Sequence, residues 1–79
     1  MPRFYFHLRN DMDVPDDEGK EMPSVDAARA YAVDLARFEL SEMVKDEGRV
    51  TLQHRIDIED ERHRVVDTVW FRDVVQVES

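Results

Sequence analysis

No cysteine occurs among the 79 residues, so a disulfide framework, a thiolate metal site and a cysteine nucleophile are all excluded. Glycine is nearly absent as well: Gly19 and Gly48 stand alone, and no glycine-rich loop exists to cradle a phosphate. Long hydrophobic runs are missing. Nothing approaches the roughly 18 apolar residues of a membrane span. The basic region and apolar stretch of a secretory leader are also lacking, so a cytoplasmic protein is expected. Positive charge is scarce, with eleven Lys and Arg against nineteen Asp and Glu, for a net charge of −8. A field of that sign repels phosphate backbones and anionic lipid heads, which argues against nucleic-acid and membrane partners.

What is present is enough to fold. Hydrophobic residues make up 42% of the chain and charged residues 38%. A single domain over residues 1–79 is expected, because so short a chain buries only roughly 60% of its unfolded surface. A lone copy would be marginal, and sharing a core with a second copy is one remedy.

In the opening MPRFYFHLR, Phe4, Phe6 and Leu8 alternate with Arg3, Tyr5, His7 and Arg9, which predicts a strand over residues 3–9. Residues 10–23 hold two of the three prolines and much of the negative charge, and read as an acidic loop. Within it, Gly19 can supply a positive φ for a small hairpin leading into KEM. Ser24 is placed as an N-cap, with Asp26 in the favourable first turn, and a helix over 25–46 runs without Gly or Pro until Gly48. Its apolar stripe comprises Val25, Ala28, Ala32, Leu35, Ala36 and Met43, flanked by Tyr31 and Phe38 on one side and by Val33 and Leu40 on the other. Alternation returns over 50–59, with Val50, Leu52, Ile56 and Ile58 on one face and Thr51, Gln53, Arg55, Asp57 and Glu59 on the other. A further strand is expected over 65–72, pairing with it as a hairpin, then an extension over 73–79 that docks through Val74, Val75 and Val77. The order implies an α+β domain, one long helix lying across a small, mainly antiparallel sheet.

Candidate chemistry is thin. Asp11, Asp13, Asp16, Asp17 and Glu18 cluster in the loop, but an EF-hand counted from Asp11 fails at its fifth, sixth and twelfth positions, held by Pro15, Asp16 and Met22. A solvated acidic loop is the better reading. His7, His54 and His63 fall on different elements without chelating spacing, and His7 and His54 should project from opposite faces. Ser24 is committed to capping, Ser41 lies within the helix, and neither they nor Thr51, Thr68 and Ser79 sit in a glycine-framed elbow. No catalytic residue, metal site or cofactor is expected, and the chain does not read as an enzyme.

The remaining signal is aromatic. A helix covers only one side of the sheet, which leaves the other face open. There Tyr5 and Trp70 join Arg3, Arg9 and Arg55, the composition of an interface centre. The alternative is that Tyr5, Trp70 and Val66 only form cross-strand pairs that stabilise the sheet. Tyr31 and Phe38 on the helix edge are a second candidate surface.

The opening MPRFYFHLR, the passage DDEGKEMPSVDAARAYA and the closing TVWFRDVVQVE resemble a family of small bacterial domains of unknown function, in which a PRYFFH-like strand, a DEEG-like turn and a TVPFRDAV-like strand recur. The resemblance spans nearly the whole chain and implies no activity. Trp70 stands where that family commonly has Pro, and His63 where Gly is more usual. The strand, the acidic loop and the helix start at Ser24 with its pair Ala27 and Ala28 are also similar to HicB-type antitoxins, whose acidic domain masks a small toxin. Three functions are therefore weighed: a homodimeric interaction domain, an acidic module masking a small basic protein, and a metal-dependent enzyme built on the acidic loop.

Overall fold

The computed structural model describes residues 1–78, so Ser79, at the end of the expected extension, lies outside the described residues. Strand β1 (Arg3–Arg9) is central in the assembly of the sheet, with Phe4 and Phe6 buried on the side that meets the helix. Strand β2 (Lys20–Glu21) returns antiparallel beside it, pairing Arg3 with Glu21 and Phe4 with Lys20. Helix α1 (Val25–Glu47) follows, then β3 (Arg55–Glu59) and β4 (Val65–Trp70). The strand order β2-β1-β3-β4 is antiparallel throughout, as the α+β expectation requires.

The helix starts and stops for local reasons. Ser24 Oγ accepts from the Ala27 N–H at 3.1 Å, and Gly48 closes the other end at φ +67° with its N–H on the Val44 carbonyl. Ala28, Ala32, Ala36 and Leu40 form the buried line of α1, so small side chains let the helix lie close against Phe4, Phe6, Ile56, Ile58, Val69 and Phe71. Val25, placed on the apolar stripe, is 40% exposed at the first position of the helix, and Leu40 lies on the buried line rather than the flank. The four largest fully buried side chains, Phe71, Ile56, Ile58 and Val69, each contribute about 1.5–3 kcal/mol of burial.

Two strand boundaries differ from expectation. The strand over 50–59 begins only at Arg55, because after Gly48 the chain must first cross the end of the helix. Val50 stays 44% exposed and the Thr51 N–H meets the Met43 sulfur at 3.4 Å. The strand over 65–72 stops at Trp70, where Phe71–Asp73 form a 3-10 turn that pushes Phe71 fully into the core. The extension docks through buried Val74, whose carbonyl accepts from Arg37 Nε at 2.9 Å, while Val75 and Val77 remain exposed. No helix among the described residues is long and apolar enough to cross a membrane.

Candidate functional site

The sheet face turned away from α1 is built by register. Tyr5 lies opposite Glu59, His7 opposite Asp57, and Arg9 opposite Arg55, while on the far side of β3 Arg55 faces Trp70 and Asp57 faces Thr68. Arg3, Tyr5, Arg9, Arg55 and Trp70 are thus gathered on one surface. Two like charges directly opposed are repulsive. Asp57 resolves this: its Oδ2 meets Arg9 Nε and its Oδ1 meets Arg55 Nε, each at 3.2 Å, and Thr68 Oγ1 donates to Oδ1 at 3.1 Å. The result is a carboxylate only 8% exposed on a face that has no helix over it. Trp70 is flanked by two guanidinium groups, Arg55 at 5.4 Å and Arg72 at 4.6 Å from its ring centroid. Tyr5 tilts against His63 at 6.0 Å, and His63 occupies a left-handed conformation, φ +62°, that glycine would adopt more easily. Arg3 reaches back to the Glu18 carbonyl at 2.7 Å.

The acidic loop is less free than a solvated loop would be. Val14 bridges Leu8 through two backbone hydrogen bonds of 2.8 and 3.0 Å, which lays the loop along the edge of β1. Asp16 then organises the turn: its carboxylate accepts from the backbone N–H groups of Phe6, Glu18 and Gly19 at 3.0–3.1 Å. Its own N–H donates to His7 Nδ1 at 3.0 Å, which puts the proton of the neutral ring on Nε2. That atom lies 3.1 Å from Glu59 Oε1, within ion-pair range but out of line for a hydrogen bond. Asp60 plays the same part in the β3–β4 turn, accepting from the N–H groups of Arg62 and Arg64.

Both aspartates titrate below the ordinary value of 3.8. For Asp16, burial opposes the shift, but the N–H groups of Gly19, Phe6 and Glu18, with a smaller contribution from the nearby His7, outweigh it; for Asp60 the Arg64 N–H leads. A carboxyl depressed in the folded state stabilises fully above its unfolded pKa, and that contribution is lost as pH falls through the folded value. The domain is therefore expected to lose stability below pH 3.8, with Asp16→Asn giving a lower but flatter profile there. Thermal melts from about pH 5 down to about pH 2 check this, and parallel profiles for the two proteins would exclude Asp16 as the titrating group.

Between the loop and α1 runs a groove. Its floor is apolar, from Phe6, Leu8, Leu35 and Ile56, and one cavity along it measures about 250 Å³. Asp11, Asp13, Asp16 and Glu18 border it on the loop side and Glu39, Glu42, Asp46 and Glu47 on the helix side; Lys20 also lines it, and Glu42 and Glu47 pair with Lys45 and Arg49. Tyr31 stands at one end, packed edge-on against Phe6 at 4.9 Å with Lys20 over its ring. Tyr31 and Phe38 therefore lie apart from the sheet-face residues, on the helix side, and Phe38 is 58% exposed. His54 closes the other end, its ring against Phe71 and both ring nitrogens shut from solvent without a hydrogen-bond partner. His7 and His54 occupy different faces of the sheet. Among the described residues no group of three His, Asp or Glu is arranged to hold a metal ion.

Sequence reasoning places the sheet-face aromatics and arginines but misses the groups that order them. Asp57 stands in the sequence only as one residue of a polar strand face, Asp16 only as one acid of the loop, and Arg72 carries no signal of its own; the cross-strand pairing of Arg9 with Arg55 is what points to a carboxylate between them.

A family model for a domain of unknown function, DUF6894, matches residues 3–72. The chain belongs to this family. The match spans both surfaces just described, from Arg3 to Arg72, so the DUF6894 domain includes the Trp70 cluster and the acidic groove. No curated protein and no solved structure was found to match the chain, and the similarity to HicB-type antitoxins gains no support from these comparisons.

Proposed function

We propose that this DUF6894 domain is a small, non-catalytic protein-interaction module that self-associates as a homodimer through the open sheet face. The observation that carries the reading is Trp70 with the guanidinium groups of Arg55 and Arg72 both over its ring, on a face with no helix over it. Tryptophan and arginine dominate interface centres, and an ordered pair loses little entropy on docking. Charge favours this face for a second copy. Two chains of net charge −8 repel, yet here Arg9 and Arg55 are balanced against Asp57, and His7 stands by Glu59, so two copies can approach without opposing carboxylates.

Sedimentation at micromolar concentration tests it. The wild type is expected to run at twice its 9.4 kDa mass, and Trp70→Ala to shift toward monomer with its circular dichroism unchanged. A single 9.4 kDa wild-type species would overturn the homodimer. Should Trp70→Ala unfold, Arg72→Glu, at an exposed position, asks the same question of the interface.

A second reading, an acidic module that masks a basic partner protein in the manner of HicB-type antitoxins, is favoured by the groove, where of eight bordering carboxylates only Glu42 and Glu47 have a cation within ion-pair distance among the described residues.

A further inference from the structure

We propose that the groove between the acidic loop and α1 is the docking site for an extended, basic, amphipathic segment of a partner protein, one that alternates arginine or lysine with apolar side chains. The proposal rests on the second reading above and gives it a surface and a chemistry.

Charge complementarity selects the occupant. Asp11, Asp13, Glu18, Glu39 and Asp46 have no cation within ion-pair distance among the described residues, and all five border the groove. The sheet face shows the opposite arrangement, its carboxylates being matched within the chain. A surface that leaves carboxylates unmatched along an apolar floor suits a ligand that brings both cations and hydrocarbon. A phosphate backbone is repelled there.

Dimensions narrow the choice. From Tyr31 to Glu47 the helix wall runs about 24 Å at its 1.5 Å rise, a span that an extended peptide covers in about seven residues. On this floor the half-buried Leu8 and Leu35 meet the alternate apolar side chains, while the outward ones reach both acidic walls. The loop already fills the edge of β1 through Val14 and Asp16, so recognition depends on side chains rather than on an added strand. At the far end, both nitrogens of His54 lack partners, a buried polar group that the fold alone leaves unsatisfied.

Fluorescence anisotropy with a labelled seven-residue peptide of alternating Arg and Leu tests this, using the full chain. Binding is expected at low salt, with affinity falling as salt rises. Asp46→Lys on the groove should weaken binding about tenfold, whereas Asp34→Lys, the same charge change at an exposed helix position outside the groove, should weaken it by less than about twofold. Glu39→Lys repeats the test at a second wall position. A peptide with serine in place of leucine should bind much more weakly. Equal losses from Asp46→Lys and Asp34→Lys, equal binding of the serine peptide, or no binding at all would each overturn the groove. Trp70→Ala should leave peptide binding intact, so loss of the homodimer and loss of the groove are separately visible.

Discussion

Gly19→Ala is expected to remove most of the stability of this domain. The residue sits at φ +71°, which costs an L-amino acid roughly 1–2 kcal/mol. Conformation is the smaller part. A methyl group there would stand 2.8 Å from the Phe4 carbonyl oxygen and 2.9 Å from atoms of Arg3 and Tyr5. The first of these is backbone of the central β1 strand and cannot swing away, so overpacking adds about 1–3 kcal/mol. Asp16 accepts from the Gly19 N–H, and a shifted loop would release the Phe6 and Glu18 contacts with it. A loss of about 3 kcal/mol, in a domain whose core supplies little more than about 3–5 kcal/mol, lowers Tm by about 12–24 °C. Gly48→Ala is the control. That glycine has nearly the same φ, +67°, but nothing within 4 Å of the added carbon, so only the conformational cost of roughly 1–2 kcal/mol applies. Equal Tm losses for the two variants would show that the close approach at Gly19 contributes nothing.

The turn around Gly19 also shows how much of this protein is legible from its residues. Alternation in Arg3–Arg9 and unbroken helix formers from Val25 to the Gly48 stop are properties of neighbouring residues, so β1 and α1 emerge from local patterns. The start of β3 does not. Val50 and Leu52 continue the alternation of Ile56 and Ile58, yet the chain needs those residues to travel from the helix end to the side of β1, a demand set by tertiary distance. Phe71 shows the same limit at the other end of the hairpin, where a 3-10 turn keeps it in the core after the strand has ended. Gly19 itself is readable as a turn residue, but not its backbone neighbour Phe4, fifteen positions away in the chain. Asp16 looks like one of five interchangeable acids; its three N–H partners come from two separate segments. The sheet-face residues are readable as a set because period two places them on one side. Their energetics are not, because these depend on which residues the register brings face to face.

Asp57 is where that register matters most, and Asp57→Ala is expected to destabilise the domain by about 3 kcal/mol, near the lower end for breaking a buried ion pair. The removed carboxylate leaves Arg9 and Arg55 directly opposed across β1 and β3 and strips Thr68 of its acceptor. Solvent moderates the effect: the arginine side chains are 28% and 39% exposed, and for fully exposed pairs the loss would be no more than about 1 kcal/mol. The low exposure of Asp57 itself decides for the larger value. Urea melts of Asp57→Ala, Arg9→Ala and the double variant separate attraction from repulsion. Once Asp57 is gone, Arg9→Ala should cost less than in the wild type, or even stabilise, because it then relieves a like-charge contact. Strict additivity would mean that the two side chains do not interact. The same variant bears on association, since Arg55 freed from Asp57 no longer holds its place beside Trp70. If Trp70 and its flanking guanidinium groups form the centre of a homodimer, Asp57→Ala should weaken dimerisation even where the fold survives, although its carboxylate is almost entirely buried beneath that surface.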